Sequence, residues 1–181
     1  MQDLKSFHLP RNFREKSIVV VQIWMIIQNT LFNHSPVFMY GWRRWLLRVF
    51  GAKIGTGVLI RPSVKITYPW KISIGDFSWI GDDVVLYSLG NIIIGKNTVV
   101  SQRSYLCSAS HDYGQSSFPV YVKTINIGNE AWLATDVFIA PGVSIGFGAV
   151  VGARSSVFCD LPDMMICVGT PAKPIKPRII G

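Results

Sequence analysis

Cysteine is scarce in this chain of 181 residues. Only Cys107, Cys159 and Cys167 occur, an odd number without the regular spacing of a disulfide framework. Small secreted domains depend on such frameworks, whereas thiols stay reduced in the cytosol. We therefore predict a protein without disulfides that works in the cytoplasm.

Acidic residues are also few. The chain has 10 Asp and Glu against 18 Lys and Arg, which gives a net charge of +8. Such a balance suits nucleic acid, an anionic membrane surface or phosphorylated ligands as partners. No run of Lys and Arg interleaved with aromatic residues occurs, so we predict that nucleic acid is not a partner.

A hydrophobic run long enough to cross a membrane is missing as well. The most apolar segment, residues 17–32, is short for a span, and three amide side chains interrupt it. No small-residue cleavage site follows it, so it does not resemble a signal peptide. We predict a helix with Ser17 as its N-cap, packed on the rest of the fold or on another subunit. The alternative is peripheral membrane contact, which Arg11, Arg14 and Lys16 just before the segment favour.

A repeat of six residues fills the second half of the chain. Between residues 127 and 162 an aliphatic residue opens every hexad, and a small residue follows it in all but the last. The opening residues are Ile127, Leu133, Ile139, Ile145, Val151 and Val157. This period is typical of a parallel β-helix, in which each hexad forms one short strand and a turn, and three hexads close a coil. Because no coil can bury its own apolar face, the coils stabilise one another by stacking.

The same period begins at Ile54 and defines the layout of the chain. We predict an N-terminal helical segment over residues 1–53, a β-helix over residues 54–167 and a basic C-terminal tail over residues 168–181. Residues 112–126 lack the period and are predicted to form an excursion loop. Loops on a rigid scaffold are where binding and catalytic residues concentrate.

A second helix is predicted within the N-terminal segment, over residues 36–50. Its hydrophobic residues recur at helical spacing, with Arg43, Arg44 and Arg48 around them. Two placements are open for this helix. It caps the open end of the β-helix, or its arginines face an anionic head group or a lipid-linked pyrophosphate.

The hexads and the segment after them resemble a known family. The runs IGNEAWLATDVFIAPGVSIGFGAVVGA and GTPAK are similar to the hexapeptide-repeat acyltransferases, over about residues 54–178. The runs LLRVFGAKIGTGVLIRPSVKITYPWKISIGDFSWIGDD and SYLCSASHDY resemble the colanic acid biosynthesis acetyltransferase group, which is maltose/galactoside acetyltransferase-like. The resemblance implies an all-β fold, namely a left-handed parallel β-helix, and acetyl-CoA as co-substrate without a metal. It implies O-acetylation of a sugar hydroxyl, on a small-molecule or lipid-linked acceptor in bacterial exopolysaccharide or glycan biosynthesis. It also implies a homotrimer with active sites between its subunits.

His111 is the candidate general base. The chain has three histidines, and only His111 lies among the hexads, at the mouth of the excursion. A lone histidine is usually structural, but imidazole is the side chain best suited to exchange protons near neutral pH. The resemblance assigns the catalytic role, because the segment SASHD matches the position of the family's catalytic histidine. Asp112 is a candidate for orienting the imidazole or contacting the acceptor. Its alternative is a turn-forming role, because adjacent residues on an extended chain point apart.

Other binding residues follow from the resemblance. It implies acceptor contacts near Asp82, Asp83 and Tyr87, whose alternative is an exposed turn. Positions along the coenzyme A tunnel are matched by Trp132, Thr135 and Ala153, and two basic positions near its phosphates by Lys173 and Lys176.

One departure from the family pattern concerns a missing cation. Relatives often carry Thr-Lys before an Asp-x-Pro segment, where this chain has Phe158 and Cys159. Arg154 and Arg178 are the candidates to replace that charge.

Four competing functions share parts of this pattern. A γ-type carbonic anhydrase needs three histidines on facing coils, and only His111 qualifies. A sugar nucleotidyltransferase needs a further nucleotide-binding domain, for which there is no room before Ile54. N-acetylation of an amino sugar and a non-catalytic β-helix scaffold remain open as alternatives.

Overall fold

The computed structural model describes residues 2–10 and 13–181, and its core is a left-handed parallel β-helix, as predicted. Arg11, one of the basic residues expected before the apolar segment, lies outside the described residues. Helices come first in the chain and the coils follow.

Two helices precede the coils. The first, α1 (Ile18–Ile27), begins at Ser17, whose hydroxyl accepts a hydrogen bond from the Val20 N–H at 3.4 Å, as the N-cap prediction requires. A π-helical turn (Gln28–Phe32) continues it, and the second helix is α2 (Tyr40–Val49). Two short 3-10 helices also occur (Leu4–Ser6 and Pro69–Lys71).

Each coil contributes three short strands in turn. The first three coils contain β1 (Lys53–Ile54), β2 (Leu59–Ile60), β3 (Lys65–Ile66), β4 (Ile72–Ile74), β5 (Trp79–Ile80), β6 (Val85–Tyr87), β7 (Ile92–Ile94), β8 (Val99–Val100) and β9 (Tyr105–Cys107). A hairpin of β10 (Ala109–His111) and β11 (Val120–Val122) follows them. The next two coils contain β12 (Ile125–Ile127), β13 (Trp132–Leu133), β14 (Phe138–Ile139), β15 (Ser144–Ile145), β16 (Val150–Val151) and β17 (Ser156–Val157). The last strands are β18 (Met165–Gly169) and β19 (Ala172–Pro177).

The strands stack into three parallel sheets, which are the faces of a triangular prism. The first face is β1-β4-β7-β12-β15, the second begins β2-β5-β8-β13-β16-β18, and the third is β3-β6-β9-β14-β17. The aliphatic residue that opens each hexad pairs with its counterpart in the next coil, for example Ile74 with Ile94 and Ile94 with Ile127. These side chains are buried and form the core, so the stacking inferred from the hexads is confirmed.

The second position of the hexad requires a small residue for a steric reason. A Cβ added to Gly128 would lie 2.8 Å from the backbone carbonyl of Gly146 in the next coil. Real Cβ contacts do not approach so closely, because atoms this near repel. A larger residue would therefore push the coils apart at this corner.

The excursion is a two-stranded hairpin rather than an irregular loop. β10 and β11 pair antiparallel, with His111 opposite Val120, and the chain re-enters the prism at β12. The ordered hairpin thus begins before residue 112 and the coil resumes at Ile125, a little earlier than the expected Ile127. Near the C-terminus, the expected boundary between residues 167 and 168 falls inside β18, and β19 folds back on β18 as an edge strand of the second face.

The two helices pack against the first coil and cover the open end of the prism. Trp24 of α1 is fully buried and donates its indole N–H to the Ile66 carbonyl at 2.8 Å. Arg43 of α2 is also fully buried and donates to the carbonyl oxygens of Ile60, Pro36 and Val37 at 2.6–2.9 Å. The capping placement of α2 is therefore correct. The alternative placement is wrong for Arg43, because its guanidinium points inward to backbone carbonyls.

We predict that Arg43→Met lowers the free energy of unfolding by roughly 2–4 kcal/mol, because several buried carbonyl oxygens lose their donor. Urea denaturation of both proteins measures this difference. The exposed Lys53→Met is the matched control, and we expect it to change stability by less than about 0.5 kcal/mol. An Arg43→Met protein as stable as wild type would contradict this role.

Candidate active site

His111 lies on β10 with one ring nitrogen already engaged. Its Nδ1 is 2.8 Å from the carbonyl oxygen of Phe118, across the hairpin. A carbonyl oxygen can only accept, so Nδ1 carries the proton in this contact and the neutral ring presents an unprotonated Nε2. The imidazole also stacks on the Phe118 ring, with centroids 4.2 Å apart and planes 8° apart. The hairpin thus fixes both the orientation and the tautomer of the ring.

Asp112 does not orient the imidazole. Its carboxylate accepts hydrogen bonds from the Gly114 N–H at 2.9 Å and from the Gln115 side chain at 2.7 Å. These bonds stabilise the turn of the hairpin, and the Phe118 carbonyl fills the orienting role considered for Asp112. The carboxylate still lines a cleft of about 520 Å³ together with His111, Tyr121 and Lys123.

The N-terminal segment packs over the hairpin. The Asp3 N–H donates to the Ser116 carbonyl at 2.7 Å, and the Phe7 ring lies 5.9 Å from the imidazole of His111. His111 therefore has an aromatic ring on two sides. No pattern in the sequence points to Phe7 or Phe118, because both contacts depend on how the hairpin folds.

A second group of predicted residues lies along another part of the prism. We call the turns that follow the second-face strands the second edge, and the turns that follow the third-face strands the third edge. Thr135 and Ala153 lie on the second edge, in successive coils, and the Thr135 hydroxyl donates to the Gln102 carbonyl at 3.1 Å. Trp132 lies on β13 of the second face, half exposed, and donates its indole N–H to the Ser101 hydroxyl at 2.9 Å.

Lys173 and Lys176 continue this line to the C-terminal end of the prism. Both are exposed on β19, opposite Val168 and Ile166 of β18. Neighbouring strands lie about 4.8 Å apart, so the five steps from β5 to β19 cover roughly 24 Å. The second face and second edge thus form a long strip that ends in two lysines.

The other end of the strip opens into a cleft of about 320 Å³. Tyr40, Trp79, Asp82 and Gln102 are among the residues that line it. Two tryptophans, Trp79 and Trp132, therefore mark the outer surface of the second face. Each stands just before the aliphatic residue of its hexad, a repetition in the sequence that could have identified Trp79.

Asp82 is held by an ion pair. Its carboxylate accepts from Arg61 Nε at 2.9–3.0 Å and from the Ser63 hydroxyl at 3.1 Å. The hydrogen bond to Asp82 raises the pKa of Arg61. Asp83 is on the same turn, with φ of 55°, and its N–H donates to the Ser63 hydroxyl. The carboxylate of Asp82 reaches the cleft already oriented by Arg61.

Tyr87 lies on the third face, away from this cleft's lining residues. It begins a ladder of rings along that face, with centroids about 6 Å apart: Tyr87, Tyr105, Phe138 and Phe158. Burial raises the pKa of Tyr87, which keeps its hydroxyl protonated at neutral pH.

Phe158 is the last ring of that ladder. It and Cys159 stand at the positions where the family pattern has Thr-Lys, so the cation of that pattern is missing here. Of the two candidate replacements, Arg178 donates to the carbonyl oxygens of Glu130 and Gly148 at 2.8 and 2.9 Å. Arg154 is exposed on the second edge, 3.7 Å from the Asp136 carboxylate. Arg154 is therefore the more accessible cation.

The predicted residues form two groups that do not meet within one chain. His111 and Asp112 belong to the hairpin at the third edge, whereas Asp82, Trp132 and Thr135 belong to the second face and second edge. The whole third face separates these two edges. Residues 2–10 and 13–181 contain no group of three His, Cys, Asp or Glu side chains placed to hold a metal ion.

Comparisons with known proteins agree with the β-helix fold. No protein-family model matches the chain. The chain is 56% identical to the colanic acid biosynthesis acetyltransferase WcaF of Escherichia coli (strain K12), covering 99% of this chain and 98% of the relative. It is similar to a hexapeptide-repeat acetyltransferase of Vibrio cholerae complexed with acetyl-CoA, with a TM-score of 0.80 and 26% identity, covering 90% of this chain and 88% of the other. A galactoside acetyltransferase in complex with coenzyme A superimposes with a TM-score of 0.81 and 25% identity, covering 93% of this chain and 83% of the other.

Proposed function

Because this chain belongs to the colanic acid biosynthesis acetyltransferases, a branch of the hexapeptide-repeat acetyltransferases, we propose that it acetylates a sugar hydroxyl in bacterial exopolysaccharide or lipid-linked glycan biosynthesis. It is an acyltransferase, and acetyl-CoA is its co-substrate. With its thiols reduced, we place it in the cytoplasm. The observation that best supports the chemistry is the hydrogen bond from His111 to the Phe118 carbonyl.

His111 acts as the general base in this proposal. Its free Nε2 takes the proton of the acceptor hydroxyl while that oxygen attacks the thioester carbonyl carbon. The tetrahedral intermediate then collapses, the carbon–sulfur bond breaks, and the imidazolium returns its proton to the departing thiolate. The Phe118 carbonyl stabilises the imidazolium through the Nδ1 proton that it accepts.

The strip on the second face suits acetyl-CoA. Its length of roughly 24 Å, derived from the strand spacing, accommodates an extended, narrow ligand. Lys173 and Lys176 at one end offer positive charges to the phosphates. Trp132, Thr135 and the small Ala153 line the path of the pantetheine arm, which leads towards the cleft at Asp82.

The cleft at Asp82 has the composition of a sugar site. Tyr40 and Trp79 offer apolar ring surfaces, while Asp82 and Gln102 offer hydrogen-bonding groups. Such pairing of a few oriented polar groups with aromatic walls is common in small-molecule sites. We assign the acceptor to this cleft, and Asp82 to a contact with one of its hydroxyls.

The two groups of residues become one site only if another copy of the chain supplies the missing half. We therefore propose a homotrimer in which the hairpin of one subunit, with His111, faces the second edge of its neighbour. Asp112 and Tyr87 then lie at the border of the shared site as secondary acceptor contacts. Closed rotational symmetry makes all three sites equivalent.

We predict that His111→Ala lowers kcat by about 10²–10⁴-fold, because the hydroxyl proton loses its acceptor. Steady-state transfer of acetyl from acetyl-CoA to a sugar acceptor measures this. KM for acetyl-CoA should change little, since the imidazole lies on the hairpin and not on the strip.

His34→Ala is the matched control for this experiment. The Nδ1 of His34 also contacts a backbone carbonyl, that of Thr30 at 3.2 Å, but it lies between the two helices. We expect near wild-type kcat for His34→Ala. A His111→Ala enzyme that keeps more than about a tenth of wild-type kcat, with chemistry rate-limiting, would exclude His111 as the base.

We predict that Lys173→Glu combined with Lys176→Glu raises KM for acetyl-CoA about tenfold or more, because two attractive charges become repulsive. The salt dependence of KM should also weaken. Lys65→Glu with Lys96→Glu is the control, since both lysines are exposed on other parts of the prism. An unchanged KM in the first double variant would remove these lysines from the site.

A further inference from the structure

Helix α1 buries very little of its apolar surface. Of its ten residues only Val21 and Trp24 are buried. Apart from the exposed Gln22, the rest of its surface is apolar as well, and Ile26 is 63% exposed. A helix that is hydrophobic all round normally lies in a protein core or a membrane. The rest of this chain therefore leaves most of the apolar surface of α1 uncovered.

The exposed apolar surface continues beyond α1. Phe38, just before α2, is 80% exposed, and Trp45 and Val49 of α2 are more than half exposed. We call this surface the apolar cap, and it comprises Ile18, Val19, Ile23, Met25, Ile26, Leu31, Val37, Phe38, Trp45 and Val49. It covers the end of the prism that the helices close. Contiguous patches of this kind mark interaction sites.

The net charge of the protein is concentrated at the same end. Between Lys16 and Gly75, which includes both helices and the first coil, the sequence has eight Lys and Arg and no Asp or Glu. The remaining residues have ten of each sign. The whole net charge of +8 thus comes from this stretch of sequence, in which Arg43 is buried while Arg61 and Lys71 pair with Asp82 and Glu15. The other five cations, which lie outside the ion pairs of the described residues, are Lys16, Arg44, Arg48, Lys53 and Lys65.

We propose that the apolar cap docks on an anionic lipid bilayer, with the prism standing away from the surface. Apolar side chains flanked by cations bind at the boundary between head groups and acyl chains. Among residues 2–10 and 13–181, no helix combines the length and apolar character needed to cross a membrane. Docking is therefore peripheral, and the side chains of α1 enter the boundary with the helix lying flat.

Charge argues against a second copy of the chain as the occupant. Two caps placed face to face would bring together two segments that each carry an excess of cations. Like charges in close contact oppose association. An anionic lipid surface can bury the apolar side chains among its acyl chains and bind the surrounding cations at its head groups.

Co-sedimentation with lipid vesicles tests this proposal. The full chain is mixed with vesicles of phosphatidylcholine alone or of phosphatidylcholine with phosphatidylglycerol. We expect binding to the anionic vesicles at least about tenfold stronger, and weakening as salt is added. Ile23→Glu with Ile26→Glu should reduce that binding by about tenfold or more, because two apolar contacts are lost and two negative charges are added.

Two controls separate docking from other effects. Ile179→Glu with Ile180→Glu changes another exposed apolar pair, near the C-terminus. This variant should bind vesicles within about twofold of wild type. Circular dichroism should be unchanged in both double variants. Acetyl transfer to a soluble sugar should be unchanged in Ile23→Glu with Ile26→Glu, since this pair lies on α1 and not in the proposed site. Equal binding by both double variants would overturn the proposal. So would a protein that ignores vesicles but loses oligomeric mass with Ile23→Glu and Ile26→Glu, because the cap would then be an interface between copies.

Discussion

The stacking of one aliphatic side chain on its counterpart in the next coil is the interaction on which this structure depends. Ile54, Ile74, Ile94, Ile127 and Ile145 form one such column on the first face, and the other faces repeat the pattern. Each fully buried aliphatic side chain contributes roughly 1.5–3 kcal/mol. An extra residue within a strand would shift the aliphatic side chains out of their columns. Insertions therefore occur only at the corners between strands. The hairpin that holds His111 leaves at such a corner, as does the turn Pro69–Lys71.

The sequence predicts most of the scaffold and part of the site, for reasons that differ from residue to residue. The hexads are visible because a buried column needs an aliphatic residue at every sixth position, and Ser17 is visible because helix caps have a narrow composition. Arg43 looked like a surface cation, since no local pattern shows that its guanidinium will bind carbonyl oxygens 17 residues away, as it does at Ile60. The partner of His111 is a backbone carbonyl, which any residue type supplies, so no side-chain motif could identify it. Asp112 was a candidate by adjacency, and strand geometry directs its carboxylate elsewhere.

The prism also explains why the proposed site is divided. A rigid triangular cross-section places the third edge and the second edge on opposite sides of the third face. The proposed base lies on one edge and the strip on the other, and each is held by coils above and below. In the proposed trimer, a neighbouring prism brings an intact second edge to the hairpin without any change in either fold. The closed end of each prism, with its apolar cap and its excess of cations, is then oriented in the same direction in all three subunits. The acetyl-transfer sites would lie on the sides of the assembly, and the proposed membrane contact at one end.

The activity of mixed oligomers tests most directly whether each site is shared between two subunits. One parent is His111→Ala, which lacks the base; the other is Ala153→Trp, in which a large side chain blocks the exposed second edge. Each parent alone should be inactive. If every site takes the hairpin from one subunit and the strip from its neighbour, random reassembly of equal amounts creates an intact site at about one position in four. Activity should then recover to about a quarter of that of wild type, in a particle with the mass of a trimer by light scattering. Mixed oligomers as inactive as both parents, or a chain that remains a monomer at micromolar concentration, would contradict a site shared between subunits.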